Sequence, residues 1–213
     1  MKLGVSRSTN EDNLRFASRL LKGIEHCVFF GTLLGLIRDG RLIEGDDDVD
    51  IYVASHERDR VITRLEEAGL AVDLEYEENT TPHFLQVRRH VAGETGLLDF
   101  YFVEVIPERQ IVLDRWNFMG RPEKENTHLH VPMKLLFPAS AFAFGDTEVM
   151  VPNDPGEAVQ FIYGPSWNVP LSKDGGYYVQ VINNVPKTFV GPTAKFRREV
   201  FRFLGQLGLL KFG

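Results

Sequence analysis

The segment Gly45-Asp46-Asp47-Asp48-Val49-Asp50-Ile51-Tyr52-Val53 constrains this chain more than any other. Four of the five residues from 46 to 50 are aspartates, and an apolar run rich in β-branched and aromatic residues follows at once. Such a run reads as a strand, and residues two apart on a strand face the same side. Asp48 and Asp50 therefore present their carboxylates together, opposite Val49 and Ile51. Two like charges held so close repel, and one is driven toward protonation. A hard cation removes the conflict. Mg²⁺ is typically held by one or two carboxylates plus substrate phosphates, and Mn²⁺ accepts the same oxygen donors.

Other readings compete. A solvated acidic turn is the usual fate of a charge run, but apolar residues pack directly against this one. Asp46, Asp48, Asp50 and Glu57 also fall at positions 1, 3, 5 and 12 of an EF-hand loop. The glycine that such a loop needs at position 6 is here Ile51, whose branched side chain resists the turn. A structural or regulatory metal site stays open.

Upstream, Cys27-Val28-Phe29-Phe30 reads as a buried strand, and Gly31-Thr32 turns the chain into a short helix over 32–38. A strand, a glycine turn and a helix N-terminus make an anion site from backbone N–H groups. Gly31 would let a phosphate approach, with help from the Thr32 hydroxyl; a turn that needs glycine for packing alone is the alternative. Arg38 can clamp a phosphate or pair with an aspartate.

Together, Gly31-Thr32-Leu33-Leu34-Gly35-Leu36-Ile37-Arg38 and the acidic run resemble the signature of the LicD/fukutin-related family, within the nucleotidyltransferase-fold superfamily. The resemblance implies a mixed sheet flanked by helices and a metal site. It also implies movement of a phospho-alcohol, such as phosphocholine, ribitol phosphate or glycerol phosphate, from a CDP-activated donor to a glycan hydroxyl. It covers about residues 26–53, residue 99, and 132–170, where Leu136-Phe137-Pro138, Val149-Met150-Val151-Pro152-Asn153-Asp154-Pro155 and Phe161-Ile162-Tyr163-Gly164 look like the family's downstream block. Two positions depart from the pattern: Gly45 stands where an aromatic is usual, and Phe-Tyr-Phe follows Asp99 in place of Ile-Phe-Pro.

Asp99 lies within the otherwise apolar run Leu97–Val105, where a buried acid is costly unless paired or metal-bound. The resemblance makes it the third carboxylate, serving as metal ligand, as proton acceptor, or both. Glu104 is the fallback. The expected set is thus Asp48, Asp50 and Asp99 as catalytic and metal-binding residues, Asp46 as a further metal-site residue, and Gly31, Thr32 and Arg38 at the donor phosphates. His128 and His130 read as strand histidines rather than zinc ligands.

The remaining elements follow from pattern. Leu14, Ala17, Leu20, Leu21 and Ile24 predict a helix over 10–25. Further helices are expected over 56–68, capped by Ser55, and over 155–163, capped by Asp154. Strands are expected at 71–77 and 83–89, with a turn over 93–96. Trp116, Phe118 and Met119 read as core. Tyr163 and Trp167 can stack on a base or sugar or simply pack, and Lys134 is a phosphate candidate. The fold class is therefore α/β (α+β), in one domain over the 213 residues, with a core at about 10–106 and a basic, Phe-rich C-terminal helix at about 193–207.

A net charge of −6 argues against broad nucleic-acid binding. Cys27 is the single cysteine, which suits a reducing compartment. No leader or spanning segment is apparent, so the expected location is cytoplasmic. Contact with a membrane would be at most peripheral, through the C-terminal helix, if the acceptor is a lipid-linked saccharide. Two rival functions stand beside phospho-alcohol transfer: transfer of NMP from an NTP with release of pyrophosphate, and a non-catalytic metal- or nucleotide-binding module.

Overall fold

An apolar strand with side chains buried on both faces belongs at the centre of a sheet, and the run around Asp99 takes that place. The computed structural model describes residues 5–70, 73–75, 83–115, 128–170, 177–191, 196 and 200, with backbone only at 73–75, 177 and 178. In chain order the elements are α1 (Arg7–Leu20), β1 (His26–Val28), α2 (Phe30–Asp39), β2 (Asp48–Ala54), α3 (Arg58–Glu67), β3 (Asp73–Glu75), β4 (Phe84–Val91) and β5 (Glu94–Ile106). Then come β6 (Ile111–Asp114), β7 (Leu129–Pro132), α4 (Met133–Leu136), β8 (Ser140–Phe144), β9 (Thr147–Val151), α5 (Pro155–Tyr163), β10 (Tyr177–Ile182) and β11 (Val185–Val190).

The main sheet has the order β1-β2-β5-β4-β3, with β6 pairing β5 and β7 pairing β6. β2 and β5 run parallel, and the other pairs are antiparallel. The protein is thus a mixed α/β fold, as the sequence predicts. Leu98 through Val103 are buried without interruption. On one face of the sheet, Val49, Ile51, Leu85, Val87, Leu98 and Phe100 join Leu14 and Ala17 of α1 and Val61 and Leu65 of α3 in the core. The opposite face carries Asp48, Asp50, Tyr52, Asp99 and Tyr101. There Phe29 stacks on Tyr52 with centroids 4.1 Å apart, and Phe30 meets Tyr101 edge-on at 5.2 Å.

Helix α1 is pinned to the start of β5. Its N-cap is Ser6, whose hydroxyl accepts from the Thr9 N–H. The Glu94 carboxylate accepts from the Ser6 N–H at 3.1 Å and from the Thr9 hydroxyl at 2.6 Å. One turn further on, Gly96 lies flush against α1: a Cβ there would sit 2.2 Å from Asn13 Nδ2 and 3.1 Å from Asn10 Oδ1.

Several boundaries differ from expectation. α1 starts at Arg7 rather than Asn10 because Ser6 caps it, and it gives way to a turn at Gly23 with φ +75°. Gly31 and Thr32 lie inside α2, whose first residue is Phe30. Ser55 begins a short 3₁₀ turn and does not cap α3. The turn before β5 is Ala92-Gly93, both with positive φ, and Gly96 belongs to the strand. Asp154 does cap α5, accepting from the Glu157 N–H at 3.1 Å. The β10–β11 hairpin, turning at Asn183-Asn184, has no counterpart among the expected elements. The expected helix over 193–207 lies outside the described residues except for Phe196 and Val200, and so do Trp116, Phe118 and Met119. Among the described residues, no helix is long and apolar enough to cross a membrane.

Gly96→Ala forces the two asparagines of α1 off β5. Overpacking of this kind costs about 1–3 kcal/mol. The urea midpoint should fall accordingly at unchanged slope, and an unchanged midpoint would show that α1 is not seated as described.

Candidate metal centre

Pairing between β2 and β5 builds the site. Parallel register sets Asp50 opposite Asp99 and Asp48 opposite Leu97. Asp48, Asp50 and Asp99 each offer an oxygen, and all three lie within 4.8 Å of one another. Asp46, Asp47 and Asp48 form a second such group in the preceding loop. Asp50 is 7% exposed and Asp99 6%, whereas Asp48 is half-buried. The three carboxylates therefore line a recess that opens on the Asp48 side.

The turn into α2 grips Asp50 from several directions. The Gly31 N–H donates to Asp50 Oδ2 at 3.0 Å. The Asp50 N–H donates to Thr32 Oγ1 at 2.9 Å, and the Phe29 N–H to the Asp50 carbonyl at 3.0 Å. The helix N-terminus, which favours negative charge, thus meets a side-chain carboxylate. Phe30 holds that geometry with φ +42°, a region that non-glycine residues rarely occupy. Packing of its ring against Phe29, Tyr52 and Tyr101 fixes it there.

From β5, the Tyr101 hydroxyl donates to Asp50 Oδ1 at 3.2 Å. From β4, Gln86 Nε2 donates to Asp99 Oδ1 at 3.0 Å. From α1, Asn10 Nδ2 donates to the carbonyl of Asp46 at 2.6 Å and lies 3.5 Å from that of Asp48. Asn10 is completely buried, and its Oδ1 has no hydrogen-bond partner. Asn10, Gln86 and Tyr101 are the residues that sequence reasoning missed. Tyr101 was within reach of it, two residues from Asp99 on one strand. Asn10 and Asn13, polar residues next to the apolar stripe of α1, were a signal too. Gln86 depends on long-range register.

Electrostatics register the crowding of carboxylates at Asp50. Burial, and then the charges of Asp48, Asp99 and Asp46, raise the pKa of Asp50 well above the usual carboxylate range, against the opposing hydrogen bond from Tyr101. Burial and the neighbouring aspartates raise that of the Tyr101 phenol, which keeps it a donor. An oxygen-only donor set with excess negative charge fits Mg²⁺ or Mn²⁺. Asp48, Asp50 and Asp99 are the residues that would hold it, with Asp46 adjacent.

The residues expected at the donor phosphates are placed differently. The Gly31 N–H is taken by Asp50, and a Cβ at position 31 would lie 2.8 Å from Asp46 Oδ2 and 3.5 Å from Asp50 Oδ2. Glycine here makes room for carboxylates. Thr32 is 2% exposed, with its hydroxyl turned to Asp50. Arg38 lies seven residues further along α2, about 10 Å down its axis, and donates to both oxygens of Asp39 at 2.9 and 2.7 Å. Glu104 points to the other face of β5 from Asp99 and is paired with Arg115 at 2.7 Å, which holds its carboxyl below the usual range. His128 is buried, and His130 Nε2 lies 3.1 Å from Asn184 Nδ2. Tyr163 and Trp167 pack on the core. Lys134 lines a groove with Asn153, Asp154, Glu157 and Phe161.

Residues 23–154 match the family model described as LicD/FKTN/FKRP, nucleotidyltransferase domain. No curated protein matches the chain. Among solved structures, it is similar to the lincosamide antibiotic adenylyltransferase LnuA, determined with lincomycin bound, at 15% identity and a TM-score of 0.48 over 67% of this chain and 79% of that one. It is also similar to the antibiotic-resistance factor ANT(2'')-Ia, at 13% identity and a TM-score of 0.41 over 68% of this chain and 66% of that one.

A carboxyl whose folded pKa is raised stabilises the fold below its unfolded pKa, and that stability is lost as pH rises through the folded value. The metal-free protein should therefore lose thermal stability above the carboxylate range, and Mg²⁺ should restore more of it at pH 8 than at pH 5.5. Asp50→Asn should match or exceed the metal-free melting temperature and lose the Mg²⁺ response; an unaltered response would remove Asp50 from the metal set. Gly31→Ala should weaken Mg²⁺ binding measured by calorimetry without nucleotide, because its methyl group displaces Asp46. An effect confined to nucleotide binding would instead favour a phosphate at Gly31.

Proposed function

This chain belongs to the LicD/FKTN/FKRP family, whose nucleotidyltransferase domain it carries over residues 23–154, and we propose that it transfers a phospho-alcohol from a CDP-activated donor to a glycan hydroxyl. Family membership makes it a transferase of the phosphotransferase or nucleotidyltransferase kind. The finer reading names phosphocholine, ribitol phosphate or glycerol phosphate as the group moved, and a glycan or lipid-linked saccharide as acceptor. The observation that supports it is the convergence of Asp48, Asp50 and Asp99 from two parallel neighbouring strands. Phosphoryl transfer asks a protein chiefly for positioning and charge stabilisation, and this arrangement is suited to both.

In this reading the acceptor oxygen attacks the distal phosphorus of the donor in line. The new P–O bond forms as the bond to CMP breaks, and the acceptor proton passes to a carboxylate, for which Asp99 is the candidate. Mg²⁺ held by Asp48, Asp50 and Asp99 would supply charge neutralisation on the phosphates and on the departing CMP. Gly31 and Tyr101 keep both Asp50 oxygens in place. Gln86 donates to one Asp99 oxygen and so orients the carboxylate that would take the hydroxyl proton. The Asn10 amide ties down the backbone that carries Asp46 and Asp48. Asp46 would serve a second cation or orient the first. The reaction would take place in the cytoplasm, at the inner face of a membrane where the acceptor is lipid-linked.

Incubation with Mg²⁺, a glycan acceptor and CDP-choline, CDP-ribitol or CDP-glycerol should yield CMP and a phosphodiester by ³¹P NMR. Asp99→Asn should lower kcat by about 100-fold or more, the scale of a lost general base, with a smaller change in donor KM. Pyrophosphate released from CTP or ATP would favour NMP transfer instead. Mg²⁺-dependent nucleotide binding without turnover of any of these substrates would leave a binding module.

A further inference from the structure

We propose that Arg88 is the donor-phosphate clamp of this site, gripping the phosphate that lies toward solvent. The proposal rests on the transfer reading above and names a residue outside the signature stretches. Its basis is the register of three strands. Arg88 on β4 pairs with Leu97 on β5, which pairs with Asp48 on β2. The next row inward is Gln86, Asp99 and Asp50, and the one beyond is Phe84, Tyr101 and Tyr52. The Gln86 amide reaches Asp99 at 3.0 Å, which fixes the face that β4 turns toward the aspartates. Arg88, two residues along the same strand, presents to that face as well.

The rows are graded in exposure. Phe84, Tyr101 and Tyr52 are buried and close the inner end. Asp50 and Asp99 are nearly covered. Asp48 and Leu97 are half-buried and Arg88 is exposed. Among the described residues, the Asp48–Leu97–Arg88 row is thus the exposed side of the site, with Leu97 between the two charged residues. Adjacent strands lie about 4.8 Å apart, which puts the Cα atoms of Asp48 and Arg88 about 10 Å from each other. An arginine side chain is long enough to reach across most of that gap toward a phosphate held at the carboxylate cluster.

On this face of β2, β4 and β5, Arg88 is the one residue with a permanent positive charge. On the α2 wall the N-terminal N–H meets Asp50, and Arg38 lies seven residues further along the helix, about 10 Å down its axis. A planar guanidinium binds phosphate oxygens in a bidentate manner that an ammonium cannot reproduce. Arg88 thus supplies the positive charge opposite the carboxylates, and the donor's phosphates bridge the two.

The test is equilibrium binding of CDP-choline, CDP-ribitol, CDP-glycerol and CTP in the presence of Mg²⁺, with Mg²⁺ alone as a parallel titration, on wild type, Arg88→Gln, Arg88→Lys and Asp48→Asn. Arg88→Gln should weaken the nucleotide that wild type binds best by about tenfold or more, the scale of a lost charge-assisted hydrogen bond. Its Mg²⁺ affinity should stay unchanged. Arg88→Lys should recover part of the loss, and Asp48→Asn should lose Mg²⁺ and nucleotide together. Arg88→Gln binding nucleotide as wild type does overturns the clamp and leaves the transfer reading standing. A loss of melting temperature with nucleotide affinity intact also overturns it. Failure of wild type to bind any of the four with Mg²⁺ overturns the transfer reading, and the clamp with it.

Discussion

Parallel pairing of β2 with β5 places Asp50 beside Asp99, and the rest of the site answers the repulsion this creates. At separations under 5 Å and an effective dielectric near 20, two carboxylate charges repel by about 3–4 kcal/mol. A hydrogen bond to a charged group returns about 1.5–3 kcal/mol. Asp50 takes one such bond from the Gly31 N–H and one from Tyr101, yet it faces Asp48, Asp99 and Asp46 together. These hydrogen bonds position the Asp50 carboxylate, and the raised pKa shows that at Asp50 burial and the neighbouring charges outweigh them. A divalent cation would relieve that repulsion, which is the physical basis of the proposed metal role.

Holding repelling groups in place requires a rigid frame, and here backbone does most of the holding. Asp50 is bound through its N–H, its carbonyl and its side chain to positions 32, 29 and 31, while Phe30 among them is locked by aromatic packing. The acidic loop is held from the other side by Asn10, whose helix lies close to β5 because position 96 has no side chain. Gly31 and Gly96 thus serve the same end from opposite faces of the sheet. One admits the carboxylates, and the other admits the helix that anchors their loop.

The legible parts of this arrangement were the local ones. Alternation alone put Asp48 and Asp50 on one face, and the sequence Asp154-Pro155 marked the start of α5 through capping and the fixed φ of proline. What escaped depends on pairing across long distances. Nothing near Gln86 or Arg88 announces which strand lies beside β4, so neither could be tied to the aspartates before the register was known. A glycine at a helix N-terminus reads as room for a phosphate; in the structure the Gly31 N–H meets Asp50, and a Cβ there would crowd Asp46. The start of α2 was missed by two residues because a phenylalanine with positive φ is a poor expectation for any local rule, and only the surrounding rings make it tenable.

The same placement bears on how a donor can be handled. A helix N-terminus bound to an external phosphate releases it with the product. Bound to Asp50, it is a permanent part of the frame, and it orders the carboxylate before any substrate arrives. Preorganised charge of this kind needs no rearrangement at the moment of transfer. In the proposed reading, recognition of the phosphates falls to the outer row of the sheet, where Asp48 stands at one end and Arg88 at the other. The inner row, closed by Tyr52, Tyr101 and Phe84, keeps water from the buried oxygens of Asp50 and Asp99 and so preserves the low-dielectric surroundings in which their charge acts most strongly on a bound phosphate.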